Sequence, residues 1–223
     1  TYKRNILFLK DGVDGFWIVS DYMNPVDQTK NNKYSQYWHM APEANISIDG
    51  QYKLKPGETV QLTHSDFADV DKQIENTQYV PGTGTGAFKS NFNGKAKIQV
   101  VPADIESVEP KLCYGYYTDG YSTPYGRFDK YAVGTTKFDT ILFPTKTNEV
   151  YSVVPTPVPV EGLNENASDG SASAFTAEIK AEEAAVDEDY KINYMILHEP
   201  DKKAGDELAF SNLTTNGDLA FYQ

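Results

Sequence analysis

Three histidines, one cysteine and a group of tyrosines beside an arginine are the side chains whose type and setting suit chemistry. His39, His64 and His198 stand far apart with no His-x-His or His-x₃-His spacing, so the chain writes out no complete metal motif. His39, in the strand-like run Tyr37-Trp38-His39-Met40, is open to two readings, a hydrogen-bonded structural imidazole or a metal ligand. Cys113 lies in Leu112-Cys113-Tyr114, an apolar setting in which a free thiol packs as a small hydrophobe. A Gly-x-Ser-x-Gly elbow is absent. The run Gly82-Thr83-Gly84-Thr85-Gly86 has no following Lys-Ser or Lys-Thr pair and reads as a loop, not a phosphate cradle. Glu182, Glu183, Asp187, Glu188 and Asp189 lack the residue order of a calcium loop and read as a solvated turn.

The tyrosines Tyr114, Tyr116, Tyr117, Tyr121, Tyr125 and Tyr131 surround Arg127 in the sequence. Rings with a polar tip stack on sugar faces, and they also fill sandwich cores and cross-strand pairs. Tyr121, Tyr125 and Arg127 are thus the candidate substrate-binding residues, for a carbohydrate. The planar fork of Arg127 suits a ligand carboxylate, and pairing with Asp129 is the alternative.

Strands must position these groups. Apolar, β-branched and aromatic runs of four to eight residues recur between Gly, Pro, Asn and Asp. Ile6-Leu7-Phe8-Leu9 and Phe16-Trp17-Ile18-Val19, joined by Asp11-Gly12-Val13-Asp14-Gly15, predict a hairpin whose two strands are both central, with both faces covered. In the next run, alternation places Gln36, Trp38 and Met40 on one face and Tyr37 and His39 on the other. Residues 64–90 read as a long loop or insertion. The helix candidates are short, at 66–74 and 181–185. The expected fold is all-β: a two-sheet antiparallel β-sandwich with roughly a dozen strands and little helix, in one domain spanning 1–223.

With 223 residues and 39% hydrophobic content, the chain has ample material for a core without disulfides. Its 20 Lys and Arg against 32 Asp and Glu give −12, which repels phosphate backbones and argues against nucleic acid as a partner. No apolar run is long enough for a helical membrane span. The opening Thr1-Tyr2-Lys3-Arg4 reads as the start of a piece processed or excised from a longer protein.

The order of segments carries a family likeness. Arg4 with the run Ile6-Leu7-Phe8-Leu9, then Phe16-Trp17-Ile18-Val19-Ser20-Asp21, Tyr37-Trp38-His39-Met40-Ala41-Pro42, Tyr125-Gly126 and Thr140-Ile141-Leu142-Phe143-Pro144 resemble successive segments of the heparinase II/III-like polysaccharide lyases. The closing segments Leu208-Ala209-Phe210 and Gly217-Asp218-Leu219-Ala220-Phe221 are similar to the family's last strands. The resemblance implies the C-terminal β-sandwich region of a secreted or periplasmic enzyme, preceded by an α/α-toroid domain. It implies β-elimination on uronic-acid-containing polysaccharides by the intact protein, with the catalytic Asn and Tyr on the toroid, so that this chain alone is inactive. It further implies a divalent metal, zinc, held by His39 together with two ligands upstream of Thr1. The alternative is a non-catalytic carbohydrate-binding or cell-surface adhesion sandwich.

Overall fold

The computed structural model describes residues 1–10, 15–41, 44–49, 52–54, 74–75, 77–79, 82–92, 96–118, 121–146, 151–165, 167, 170–181, 189–200 and 207–223. The strands are β1 (Tyr2–Leu9), β2 (Phe16–Met23), β3 (Asn31–His39), β4 (Asn45–Ile48), β5 (Tyr52–Leu54), β6 (Ile74–Glu75), β7 (Thr77–Tyr79), β8 (Phe88–Phe92), β9 (Ala96–Pro102) and β10 (Glu109–Thr118). They continue with β11 (Tyr121–Val133), β12 (Thr136–Thr145), β13 (Tyr151–Pro157), β14 (Val160–Glu161), β15 (Ala172–Ala181), β16 (Tyr190–Leu197), β17 (Leu208–Phe210), β18 (Leu213–Thr215) and β19 (Leu219–Tyr222). A 3-10 turn lies at Ile105–Ser107. Most of the two short helix candidates lies outside the described residues. None of the described helices is long and apolar enough to cross a membrane.

The all-β antiparallel sandwich holds, with more layers than two. A six-stranded sheet, β1-β2-β12-β9-β8-β4, is packed on one face by β3-β11-β10-β6 and on the other by β13-β15-β16-β19, and the small sheet β14-β17-β18 covers the far side of the latter. Alternation explains the layering. On β2, Phe16 and Ile18 point into a core with Val153, Phe175, Ile179 and Tyr194, while Asp21, at odd spacing from them, meets β3. On β12, Ile141 and Phe143 join the first core while Phe138 and Leu142 join a second one with Phe88, Leu112 and Phe128. A third core joins Ala174, Met195 and Leu197 to Leu208 and Phe210.

β2 is central and buried, as its continuous apolar run predicts. β1 is not central. It is an edge strand, and only Leu7 and Leu9 pack into a core, while Ile6 and Phe8 remain 63% and 49% exposed on the other face. The physical reason is that the sheet containing β3 is narrower than the six-stranded sheet and stops short of β1.

Two residues that punctuate the tyrosine-rich stretch are built into the long strand β11. Met40 donates its N–H to the Pro124 carbonyl at 3.1 Å. Proline has no N–H to return, and the Thr123 hydroxyl donates to the Met40 carbonyl in its place. Gly126 lies under the ring of Phe88, and a Cβ there would stand 2.2 Å from Phe88 Cδ2. Phe88 is fully buried and stacked on Phe128 at 4.5 Å, so the ring has nowhere to move. Gly126→Ala is expected to lower stability by about 1–3 kcal/mol, read from the urea midpoint. An unchanged midpoint contradicts this packing.

Candidate functional site

The sheet β3-β11-β10 brings the sequence candidates together. Register pairs His39 with Tyr125, Tyr37 with Arg127, Ser35 with Asp129 and Lys33 with Tyr131, and pairs Tyr125, Arg127 and Asp129 in turn with Cys113, Lys111 and Glu109. Directly opposed residues share a face, so these side chains line the side of the sheet turned away from β2 and β12. The expected parity is observed: Gln36 is buried toward β2, and Trp38 and Met40 pack into the second core, while Tyr37 and His39 are exposed on the outer face.

The centre of this face is electrostatic. The Asp129 carboxylate, fully buried, is met by Arg127 Nε and Nη2 at 2.9 Å each, Lys33 Nζ at 3.0 Å, Lys111 Nζ at 3.3 Å and the Ser35 hydroxyl at 2.6 Å. Burial alone would raise its pKa, but hydrogen bonds from Ser35, Arg127 and Lys33 pull it down to about 2. Lys111 also reaches Glu109 at 3.4 Å. Among the described residues, Arg127, Lys33 and Lys111 gather around the carboxylates of Asp129 and Glu109.

The aromatic part lies beside it. The Tyr125 ring sits 5.0 Å from His39 and 5.8 Å from Tyr37, and the Arg127 guanidinium lies 5.9 Å from the Tyr37 ring. Burial, with Cys113 as neighbour, holds the Tyr125 hydroxyl above the usual phenol range. Burial also lowers the pKa of the His39 imidazole, favouring its neutral form.

Each sequence candidate has a definite place. Tyr125 and Arg127 are buried, at 1% and 4% exposure, so they form the floor of the face and are not presented to a ligand. The Arg127 fork is occupied by Asp129, the alternative partner considered from the sequence. Tyr121 opens β11, and its side chain lies outside the described residues. Cys113 is buried, in keeping with a core role. Tyr37, 47% exposed, and Tyr131 present their rings instead. The parity that grouped Tyr37 with His39 was the signal that could have nominated Tyr37.

Zinc requires three or four donors at about 2.0–2.3 Å. His39 offers one imidazole, and Asp129 is committed to cations. Among the described residues no group of three or more His, Cys, Asp or Glu is placed to hold a metal. Among the described residues of this face, His39 thus fits one position of such a centre.

A second polar cluster joins β15 and β16 to the six-stranded sheet. Ser173 Oγ and His198 Nε2 are 2.9 Å apart, the Tyr22 ring stacks on the imidazole at 5.2 Å, and Lys3 donates to the His198 carbonyl at 3.1 Å. A serine beside an imidazole has the form of a nucleophile and base. Both are buried, however, and the adjacent Glu199 carboxylate accepts from Tyr22 and Ser171. The cluster is structural.

No protein-family model, curated protein or solved structure matches the chain.

Proposed function

We propose that this chain is the C-terminal β-sandwich of a heparinase II/III-like polysaccharide lyase, in which the outer face of β3-β11-β10 forms one wall of a sugar cleft. One observation carries the reading. The segments Tyr37–Pro42 and Tyr125-Gly126, which resemble the family from opposite parts of the sequence, are register partners, His39 with Tyr125 and Trp38 with Gly126. Three more segments of the resemblance adjoin within one sheet: β1 pairs with β2, and β2 with the strand that holds Thr140–Pro144.

The face has the chemistry for a uronic-acid polymer. Tyr37 supplies a ring for stacking on a sugar, His39 an imidazole, and Lys33, 38% exposed, an ammonium group within reach of a ligand carboxylate. The toroid, the catalytic Asn and Tyr, the remaining metal ligands and the secreted or periplasmic location belong to the intact protein under this reading. The chain alone has no activity under this reading.

A polypeptide carrying this chain behind the toroid is expected to release unsaturated uronides from at least one uronic-acid polymer. The second reading, a non-catalytic carbohydrate-binding sandwich, draws on the exposure of Tyr37 and Tyr131. It expects the isolated chain to bind neutral glycans and to lose that binding in Tyr37→Ala. Retained binding in that variant, or no glycan binding, counts against it.

A further inference from the structure

The strand order leaves a step along one side of the molecule. β3 lies over β2 and β12, with Gln36 reaching Asp21 on the first at 2.9 Å and Thr140 on the second at 2.8 Å. Strands in a sheet are about 4.8 Å apart, so the next position beyond β3 falls over β1. Among the described residues no strand occupies it.

The floor of the step is one face of β1, formed by Tyr2, Arg4, Ile6 and Phe8, with Phe8 stacked on Trp17 at 4.8 Å. Its wall is the edge of β3. The bond from Met40 N–H to the Pro124 carbonyl fixes which residues turn their peptide groups toward β11. Counting back by twos in the antiparallel ladder, Trp38, Gln36 and Tyr34 do so, and the N–H and C=O of Lys33, Ser35 and Tyr37 point out over the step. An apolar floor beside outward peptide groups is the template for one more strand.

We propose that this step is a docking groove for an extended, acidic polypeptide segment that adds to the edge of β3 and lays alternate apolar side chains on Ile6, Phe8 and Trp17. The geometry selects a lone strand over a second copy of the chain. A second molecule paired edge to edge through its own β3 carries an overhanging β1 and β2, and these fall in the volume already filled by β1 and β2 here. Charge selects the acidic segment. Residues 1–40 hold five of the 20 Lys and Arg but only four of the 32 Asp and Glu, so this part of an acidic chain carries a slight positive balance. Arg4 and Lys33 flank the groove and keep 42% and 38% of their side chains exposed while paired with Asp21 and Asp129.

The test uses a capped octapeptide alternating Val and Glu, with the same peptide N-methylated at alternate residues as control. Amide hydrogen exchange in the labelled chain is expected to slow about tenfold or more at Lys33, Ser35 and Tyr37 with saturating peptide and to stay unchanged with the control. Phe8→Lys and Ile6→Lys, both at exposed positions and each checked for an unchanged melting transition, are expected to weaken binding about tenfold. Three results overturn the proposal. They are no slowing at roughly millimolar peptide, slowing confined to Tyr2, Arg4, Ile6 and Phe8, and self-association that slows the same amides without peptide.

Discussion

Replacing Asp129 with alanine lowers the stability of the chain by about 3–5 kcal/mol, among the largest effects expected of a single side chain here. The carboxylate is fully buried and is the shared partner of Arg127, Lys33, Lys111 and Ser35. Without it, the buried Arg127 loses the carboxylate that faces its guanidinium. The lysines, being partly exposed, recover hydration. A loss below about 1 kcal/mol in urea unfolding means that the cluster has the worth of a surface ion pair and that the account of this face is wrong. The same residue sets an acid limit. Its folded pKa of about 2 lies below the ordinary 3.8, so its contribution is present above 3.8 and disappears as pH falls through 2. The shift corresponds to about 2 kcal/mol.

The second large effect is a loss of stability at milder acidity, set by His198. Burial pushes the imidazole down to about 4 from its ordinary 6.5. Lys137 and Lys3 lower it further, while Asp139 and Glu199 oppose them. Its Nε2 meets Ser173, and Nδ1 has no hydrogen-bond partner among the described residues. The unfolded chain therefore binds a proton more readily than the folded one. Stability is complete above 6.5 and declines as pH falls from 6.5 to 4, by on the order of 3 kcal/mol. His198→Gln should flatten the urea midpoint across that window while leaving the loss below pH 3.8 that belongs to Asp129. A wild-type midpoint that stays constant between pH 6.5 and 4 contradicts the assignment.

Much of the fold was legible because alternation is a local property. The strand runs, the all-β class and the faces of Gln36, Tyr37, Trp38 and His39 follow from period-two patterning alone. The position of β1 was not legible. Ile6-Leu7-Phe8-Leu9 has the composition of a strand covered on both faces, and nothing local reveals that the sheet above it stops at β3. β11 was hidden for a different reason. Pro124 and Gly126 are strand breakers by propensity, and they are tolerated because Thr123 replaces the missing donor and Phe88 needs the space above Gly126.

The site was legible in part for the same reason. Tyr125, Arg127 and His39 were grouped by composition and resemblance, and the register does set His39 beside Tyr125 and Arg127 beside Tyr37. Their burial is a tertiary property. Alternation places Arg127 on the outer face, but it does not show that Lys33, Lys111 and Arg127 converge on Asp129. Among the described side chains of this face, Tyr37 and Tyr131 are the exposed tyrosine rings, and Tyr125 is buried.

The most direct test of the proposed function is ultraviolet absorbance during incubation of the longer polypeptide that the proposal requires, this chain behind a toroid, with alginate, hyaluronan, chondroitin and heparan sulfates. β-Elimination creates a double bond conjugated to the uronate carboxylate. The account predicts a steady rise in absorbance on at least one polymer, lost in His39→Ala, with no rise from residues 1–223 alone. A folded polypeptide that produces no rise on any of the four contradicts it.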